Sequence, residues 1–184
     1  MLPFNRPPIT TLRLTLRPLA QADVLALFEI HSDPKTMRYW SAPVWQNDER
    51  GHAMLARDLD QSETDHLRLG IELNASGKLI GTCSLFDINE PCRSAELGYM
   101  LASSAWGQGL MQEALRALLD FAFDNLKLHR IEADTDPRNE RSARLLEQLN
   151  FVMEGYFRER WIVGEEVSDA AMYGLLSRDW RAKP

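Results

Sequence analysis

Residues 110 to about 125 read as a helix that is apolar nearly all round, with one thin polar stripe of Glu113, Arg116, Asp120 and Asp124. A helix with so narrow a wet face has to be covered on most sides, so the rest of the chain must supply a surface that buries it. The flanking segments indicate a sheet. Before the helix, Ala95, Leu97, Tyr99 and Leu101 alternate with Ser94, Glu96, Gly98 and Met100, the period of a strand. After it, "HRIEAD" reads as a second strand.

The same alternation appears near the start, where Leu12, Leu14 and Leu16 face Arg13, Thr15 and Arg17 until Pro18 ends the strand. A helix follows with Val24, Leu27, Phe28 and Ile30 as its buried stripe, stopped at Asp33-Pro34. "MRYWSAPVWQ" has no period and reads as a loop over something; a second helix over 47–61 comes next. "HLRLGIEL" and "KLIGTCSLF" flank the turn Asn74-Ala75-Ser76-Gly77 and predict an antiparallel hairpin. "DPRNERSARLLEQLNF" reads as a turn and short helix, with Asp136 at its N-cap, Pro137 in its first turn and Asn150 as its left-handed C-terminal stop. "FVMEGYFRERWI" and "SDAAMYGLL" are two closing strands joined through Gly164. The fold class this predicts is α/β (α+β): one mixed, mostly antiparallel sheet of about seven strands flanked by about four helices, in a single domain over 1–184.

Composition excludes several classes. Apolar residues make up 45% of the chain and charged residues 26%, too apolar for a disordered chain, and charges interrupt every apolar run well short of the ~20 residues of a membrane span. A net charge of -6 argues against a general nucleic-acid surface and suits a cationic partner. Cys83 and Cys92 fit neither a disulfide framework nor a metal spacing, and His31, His52, His66 and His129 show no ligand spacing, so the expectation is a cytoplasmic protein with reduced thiols and no metal.

Gly107 and Gly109 stand where the apolar helix begins. They make either a tight strand-to-helix turn or an anion cradle of free helix amides. A dinucleotide fingerprint would need a third glycine near Gln112, and a nucleoside-triphosphate loop would need Lys-Ser or Lys-Thr after the last glycine. Neither is present. What remains for an anion is a diphosphate held chiefly by backbone amides.

"AELGYMLASSAWGQGLMQEAL" followed by "HRIEADTDPRNERSARLLEQLNF" resembles the GNAT superfamily of N-acetyltransferases, specifically the RimJ/RimL type that includes ribosomal-protein N-terminal acetyltransferases. "LRLTLRPLAQAD" and "FRERWIVGEEVSDAAMYGLL" extend the resemblance over nearly the whole chain. It implies a GNAT fold and acetyl-CoA as co-substrate, with the pyrophosphate cradled by Trp106, Gly107, Gln108, Gly109, Leu110 and Met111. It implies further that Tyr99, Met100 and Leu101 border the thioester, the N–H of Met100 or a neighbour meeting its oxygen, and that Asn139 meets the pantetheine arm while Ser142 lies near the thiol or the pyrophosphate.

An amine attacking a thioester must lose a proton, and the departing thiolate benefits from gaining one. Glu96 shares an alternation face with Gly98 and Met100, so it is either an exposed strand glutamate or a base opening onto a cleft; the resemblance implies the base. Relatives carry a tyrosine seven residues after the asparagine, where this chain has Leu146, so the catalytic pair is Glu96 with Ser142 or a water as acid. Tyr39, Trp40 and Trp45, with Glu159 and Trp161, are candidates to cover the acceptor. The implied partners are acetyl-CoA and a primary amine, foremost a protein or peptide N-terminus such as that of a ribosomal protein, with no nucleic acid or membrane and an open oligomeric state that includes a homodimer. The alternatives are a small-molecule amine acetyltransferase and a non-catalytic acyl-CoA sensor.

Overall fold

The structure, a computed structural model, describes residues 8–59 and 65–182. Its elements are β1 (Ile9–Thr10), β2 (Leu14–Arg17), α1 (Val24–Ser32), α2 (Glu49–Leu59), β3 (Leu67–Leu73), β4 (Leu79–Asn89), β5 (Ser94–Leu101), α3 (Leu110–Asp124), β6 (Arg130–Thr135), α4 (Glu140–Gln148), β7 (Val152–Val163), β8 (Glu166–Leu176) and α5 (Ser177–Arg181). The strands form one sheet of eight in the order β1-β2-β3-β4-β5-β6-β8-β7. Every neighbouring pair is antiparallel except β5 and β6. The end of the helix expected over 47–61 lies outside the described residues.

The eighth strand comes from the N-terminal segment, which is not one strand from Leu12. The chain bends between β1 and β2, Leu12 is 91% exposed, and Leu14 and Leu16 are wholly buried. The bend is held by Glu113 of α3, whose carboxylate accepts the Thr11 hydroxyl (2.7 Å), the Arg13 amide (2.8 Å) and Arg13 Nε (2.6 Å). That contact spans about a hundred residues of sequence, so local alternation could not reveal it.

α3 is the centre of the main core, with Leu110, Met111, Ala114, Leu115, Leu118, Leu119, Ala122 and Phe123 all buried. Part of its polar stripe also holds the fold: exposed Asp120 accepts the indole N–H of buried Trp180 from α5 at 2.8 Å. The opposite face of the sheet carries α1 and α2, where Leu19, Val24, Leu27, Leu55 and Leu79 form a second core. Trp45 belongs to it. It is 6% exposed and stacked on His31 with ring centroids 4.1 Å apart, so it packs and does not cover an acceptor.

Asp136 does not cap α4. Pro137 opens a turn, in which the Asp136 carbonyl accepts the Asn139 amide (2.8 Å) and its carboxylate accepts the Arg138 amide (2.9 Å). The cap is Asn139, whose side-chain oxygen accepts the Ser142 N–H at 3.2 Å. At the other end Asn150 has φ +67°, and the Phe151 and Asn150 amides close on the carbonyls of Leu146 and Glu147, a Schellman stop. Among the described residues, no helix is long and apolar enough to cross a membrane.

One feature of the sheet positions the site. β5 and β6 pair only from Ser94↔Arg130 to Glu96↔Glu132. Beyond that, β5 stays with β4 as far as Leu101 and β6 stays with β8 as far as Thr135, so the sheet splits into a wedge.

Candidate active site

The wedge opens into a cleft of about 1800 Å³, bordered by the split strands, the first turns of α3 and α4, the loop over 34–44 and part of β7. The Ala102 N–H meets the Ile80 carbonyl at 2.8 Å, continuing the register in which Leu101 faces Gly81. Opposed residues of an antiparallel ladder alternate between bonded and unbonded pairs, so Met100 turns its amide to β4 while Tyr99 and Leu101 turn theirs to the wedge. The Leu101 carbonyl fits this parity, because it accepts the Trp106 indole N–H at 2.8 Å instead of a strand amide. Of the amides expected at the thioester, the neighbours of Met100 are therefore the ones that face the opening.

At one end of the cleft the surface is mostly backbone. Gly107 and Gly109 have φ of +75° and +71°, and nothing lies within 4 Å of where a Gly107 Cβ would be. Gly109 is the N-cap of α3 and brings no side-chain cap, so the first-turn amides lack that partner at the positive end of a 15-residue helix. Leu110 and Met111 send their side chains into the main core and line the cleft as well. Arg141 and Arg144 line the same end, Arg141 lying 5.0 Å from the Trp106 ring centroid. Arg13 braces the loop from behind through its bond to the Gln108 carbonyl (2.9 Å). Open amides, glycines in left-handed backbone and nearby guanidinium groups fit a diphosphate.

Asn139 and Ser142 both border the cleft. Ser142 Oγ lies 2.7 Å from the Tyr99 hydroxyl, which reaches it from β5 across the wedge. Leu146 is wholly buried in the main core, so α4 offers no hydroxyl there.

The far end is built of side chains. Glu96, Asp87, Glu132 and Asp134 line it, with Phe86, Phe157, Arg160 and Trp161. Glu132 is paired with Arg130 at 2.6 Å and Asp134 accepts the Trp161 indole N–H at 2.8 Å. Glu96 and Asp87 accept no hydrogen bond among the described residues. Burial pushes the half-buried Glu96 carboxyl above its ordinary range; Asp87, Asp134 and Glu132 add to the push and Arg160 opposes it. Asp87 sits in a bulge of β4, between the pairs Phe86↔Glu96 and Asn89↔Ser94, with φ +49°.

Of the residues singled out in the sequence, Tyr99, Met100, Leu101, Trp106, Gly107, Gly109, Leu110, Met111, Asn139, Ser142, Glu96, Tyr39, Trp40 and Trp161 all line this one cleft. Gln108 does not; its carbonyl is engaged by Arg13. Glu159 lies outside it as well. It sits at φ +53° in a bulge of β7, its amide on Asp169 Oδ1 (2.8 Å), and lines a separate shallow depression with Tyr156 and Arg158. Sequence reasoning missed Arg13, Arg141, Arg144 and Asp87. Only Asp87 carries a local signal, since aspartate is disfavoured inside a strand unless a bulge turns it outward.

Comparison with known proteins gives the fold a context. Residues 13–152 match the acetyltransferase (GNAT) domain. The chain is 33% identical over 171 residues to the uncharacterized N-acetyltransferase p20 of Bacillus licheniformis, covering 92% of this chain and 96% of that one. It is 34% identical over 116 residues to YdaF of Bacillus subtilis, a candidate ribosomal N-acetyltransferase, covering 62% of this chain and 63% of that one. To the spermidine N(1)-acetyltransferase of Vibrio cholerae it is 28% identical over 168 residues, covering 90% of this chain and 95% of that one. The structure of spermidine N-acetyltransferase from Vibrio cholerae in complex with CoA and spermine has a similar fold, with a TM-score of 0.82, 24% identity and coverage of 91% and 98%.

Proposed function

The chain belongs to the GNAT family and is an acetyl-CoA-dependent N-acetyltransferase, and on that premise we propose that its acceptor is a primary amine carrying more than one positive charge. The observation that carries this reading is the acidic far end of the cleft, where Asp87 and Glu96 are carboxylates without a hydrogen-bond partner among the described residues. The relative that acetylates spermidine supports the same acceptor class.

In this reading acetyl-CoA, when bound, supplies the activated acyl group. The amides at Gly109, Leu110 and Met111 hold the pyrophosphate, with Arg141 and Arg144 alongside, and Asn139 orients the pantetheine arm. Glu96 takes the proton from the acceptor ammonium, and its raised pKa makes it a stronger base than a free carboxylate. The Tyr99 and Leu101 amides donate to the thioester oxygen, a contact of the kind that contributes on the order of 3 kcal/mol. Ser142 donates to sulfur.

A peptide N-terminus is the second reading, and with it the RimJ/RimL type. It is favoured by the YdaF relative and by Tyr39, Trp40 and Phe157 bordering a cleft wide enough for a chain end. An acceptor panel separates the two: a polyamine, a monoamine of matched length, and peptides with basic or neutral first residues, each followed by release of free thiol. A kcat/KM for the polyamine at least about tenfold above the monoamine is expected, shrinking with added salt. Preference for a peptide regardless of charge selects the second reading, and coenzyme binding without thiol release from any acceptor marks a sensor.

A further inference from the structure

The hydroxyl that α4 lacks at Leu146 has a counterpart on the opposite wall of the wedge. Tyr99 packs its ring against the main core from β5 and places its hydroxyl 2.7 Å from Ser142 Oγ, in the first turn of α4. This side-chain hydrogen bond joins the strand on one side of the split to the helix that follows the strand on the other, and both residues line the cleft. Ser142 is fixed from a second direction as well, since its amide is tied to Asn139 Oδ1.

Glu96 and Tyr99 lie three residues apart on one strand and so leave it from opposite faces. Glu96 faces the acceptor side with Gly98 and Met100, and Tyr99 faces α4. An amine arriving at one side of a thioester and a sulfur departing from the other would thus meet separate groups. We propose that Tyr99 is the positioning residue for the leaving sulfur: its O–H donates to Ser142 Oγ, which turns the Ser142 O–H outward to donate to the sulfur. The inference rests on the acetyltransferase reading, with sulfur at Ser142.

A serine hydroxyl accepts and donates at once only if something else donates to it. Tyr99 is suited to that task because burial pushes its phenol well above the ordinary value, which the bond to Ser142 only partly offsets, so it keeps its proton throughout the working pH range. The pair supplies a hydrogen bond and not a proton. Glu96 takes the first proton from the acceptor ammonium and releases it to solvent; as the new C–N bond forms and the C–S bond breaks, sulfur takes the bonding pair, the nitrogen's second proton goes to Glu96, and the thiolate is later protonated by water. An alkoxide left on Ser142 would be far less stable than the thiolate, so no proton passes along the pair.

The test compares wild type, Tyr99→Phe, Ser142→Ala and the double variant, with Ser142→Thr as the conservative control. Each is assayed for kcat and for KM of acetyl-CoA, and for binding of CoA and of desulfo-CoA from pH 6 to 9. A hydrogen bond to a charged atom predicts that kcat falls about tenfold or more in each single variant, with KM changed less than about threefold. The double variant should be no worse than either single one, and Ser142→Thr should regain most of the rate. In wild type, CoA binding should strengthen as the thiol ionises while desulfo-CoA binding stays flat. Both single variants should lose that rise and keep their desulfo-CoA affinity. Equal weakening of CoA and desulfo-CoA in Tyr99→Phe makes the tyrosine structural and overturns the proposal, as does a kcat within twofold of wild type. If Tyr99→Phe fails to fold, Ser142→Ala and Ser142→Thr still decide, because a CoA pH rise unchanged in Ser142→Ala removes the sulfur contact altogether. Failure of wild type to bind desulfo-CoA would count against the acetyl-CoA site itself, a separate outcome.

Discussion

The two ends of the cleft are made of different material. At the α3 end the surface is largely main chain: Gly107 and Gly109 in left-handed backbone and the open first turn of a long, buried helix. At the far end it is side chains on separate strands, Asp87 from β4, Glu96 from β5, Glu132 and Asp134 from β6, Phe157 and Trp161 from β7. A backbone site is fixed by the fold and reads charge and shape, which suits a ligand shared by many enzymes. A side-chain site can be rebuilt residue by residue on the same scaffold, which suits a ligand that sets one enzyme apart. The ends should therefore fail differently when altered, one in coenzyme affinity and the other in rate or acceptor choice.

The largest expected effect is at Glu96. Glu96→Gln keeps the size and cannot take the amine proton, so kcat should fall by roughly 10²-fold or more while coenzyme affinity stays put. A base at Glu96 would work only when ionised, and burial raises its pKa, so the acid limb of the wild-type rate should lie above the ordinary carboxylate range. The deficit of the variant should shrink as pH rises toward the acceptor's own pKa, where free amine forms unaided. Pre-steady-state rates with calorimetric coenzyme binding check both halves. A matching loss of coenzyme affinity would erase the distinction between the ends.

Next comes the converse experiment at Gly109. Gly109→Glu puts an L side chain at φ +71° and a carboxylate beside the first-turn amides. An L side chain drives the free loop out of its left-handed backbone, so binding must restore that backbone at about 1–2 kcal/mol, and the lost anion attraction adds to it; coenzyme affinity should weaken roughly 30-fold. Gly109→Asn, which tolerates that backbone without the charge, should fall between the two. Rates at saturating coenzyme should differ little. A thermal shift with coenzyme equal in wild type and Gly109→Glu would show that the amides do not hold the pyrophosphate.

The same contrast governs what the sequence discloses. β5 is legible to the residue because its alternation is local, and the glycine pair is legible because only unusual backbone needs two glycines at a helix start. Asn150 is legible for the same reason. Trp45 is not, because an aromatic residue in an aperiodic loop has no period to say which way it points, and it packs on His31. Glu159 reads as a site residue from its position near the closing hairpin, and an unforeseen bulge in β7 takes it elsewhere. Arg13 alternates like an outward strand residue, yet it grips Gln108 and Glu113 about a hundred residues away. Asp136 followed by proline reads as a cap, and the turn that the proline opens moves the helix start to Asn139. Backbone-determined features are written locally. Side-chain constellations depend on register and bulges that no single segment encodes.

The smallest expected effect is the most discriminating, because at Asp87 stability and function should move in opposite directions. The residue is exposed, accepts no hydrogen bond among the described residues, and sits at φ +49°, where an L residue is strained even though aspartate bears it better than most. If it were retained for the fold, Asp87→Gly should destabilise. If it is retained for its charge beside Glu96, the glycine relaxes the bulge and raises stability by at most about 1 kcal/mol, while KM for a polycationic acceptor rises roughly fivefold to tenfold. KM for a monoamine should move less, since fewer charges face the lost carboxylate. The Glu96 pKa should come down as well, because Asp87 is one of the charges that raise it, and the acid limb of the rate profile should shift to lower pH. Denaturant midpoints, two KM values and one pH profile suffice. An Asp87→Gly variant that is less stable, with both KM values unchanged, would assign the bulge to the architecture of β4 and leave the far end with Glu96 alone as its unpaired carboxylate.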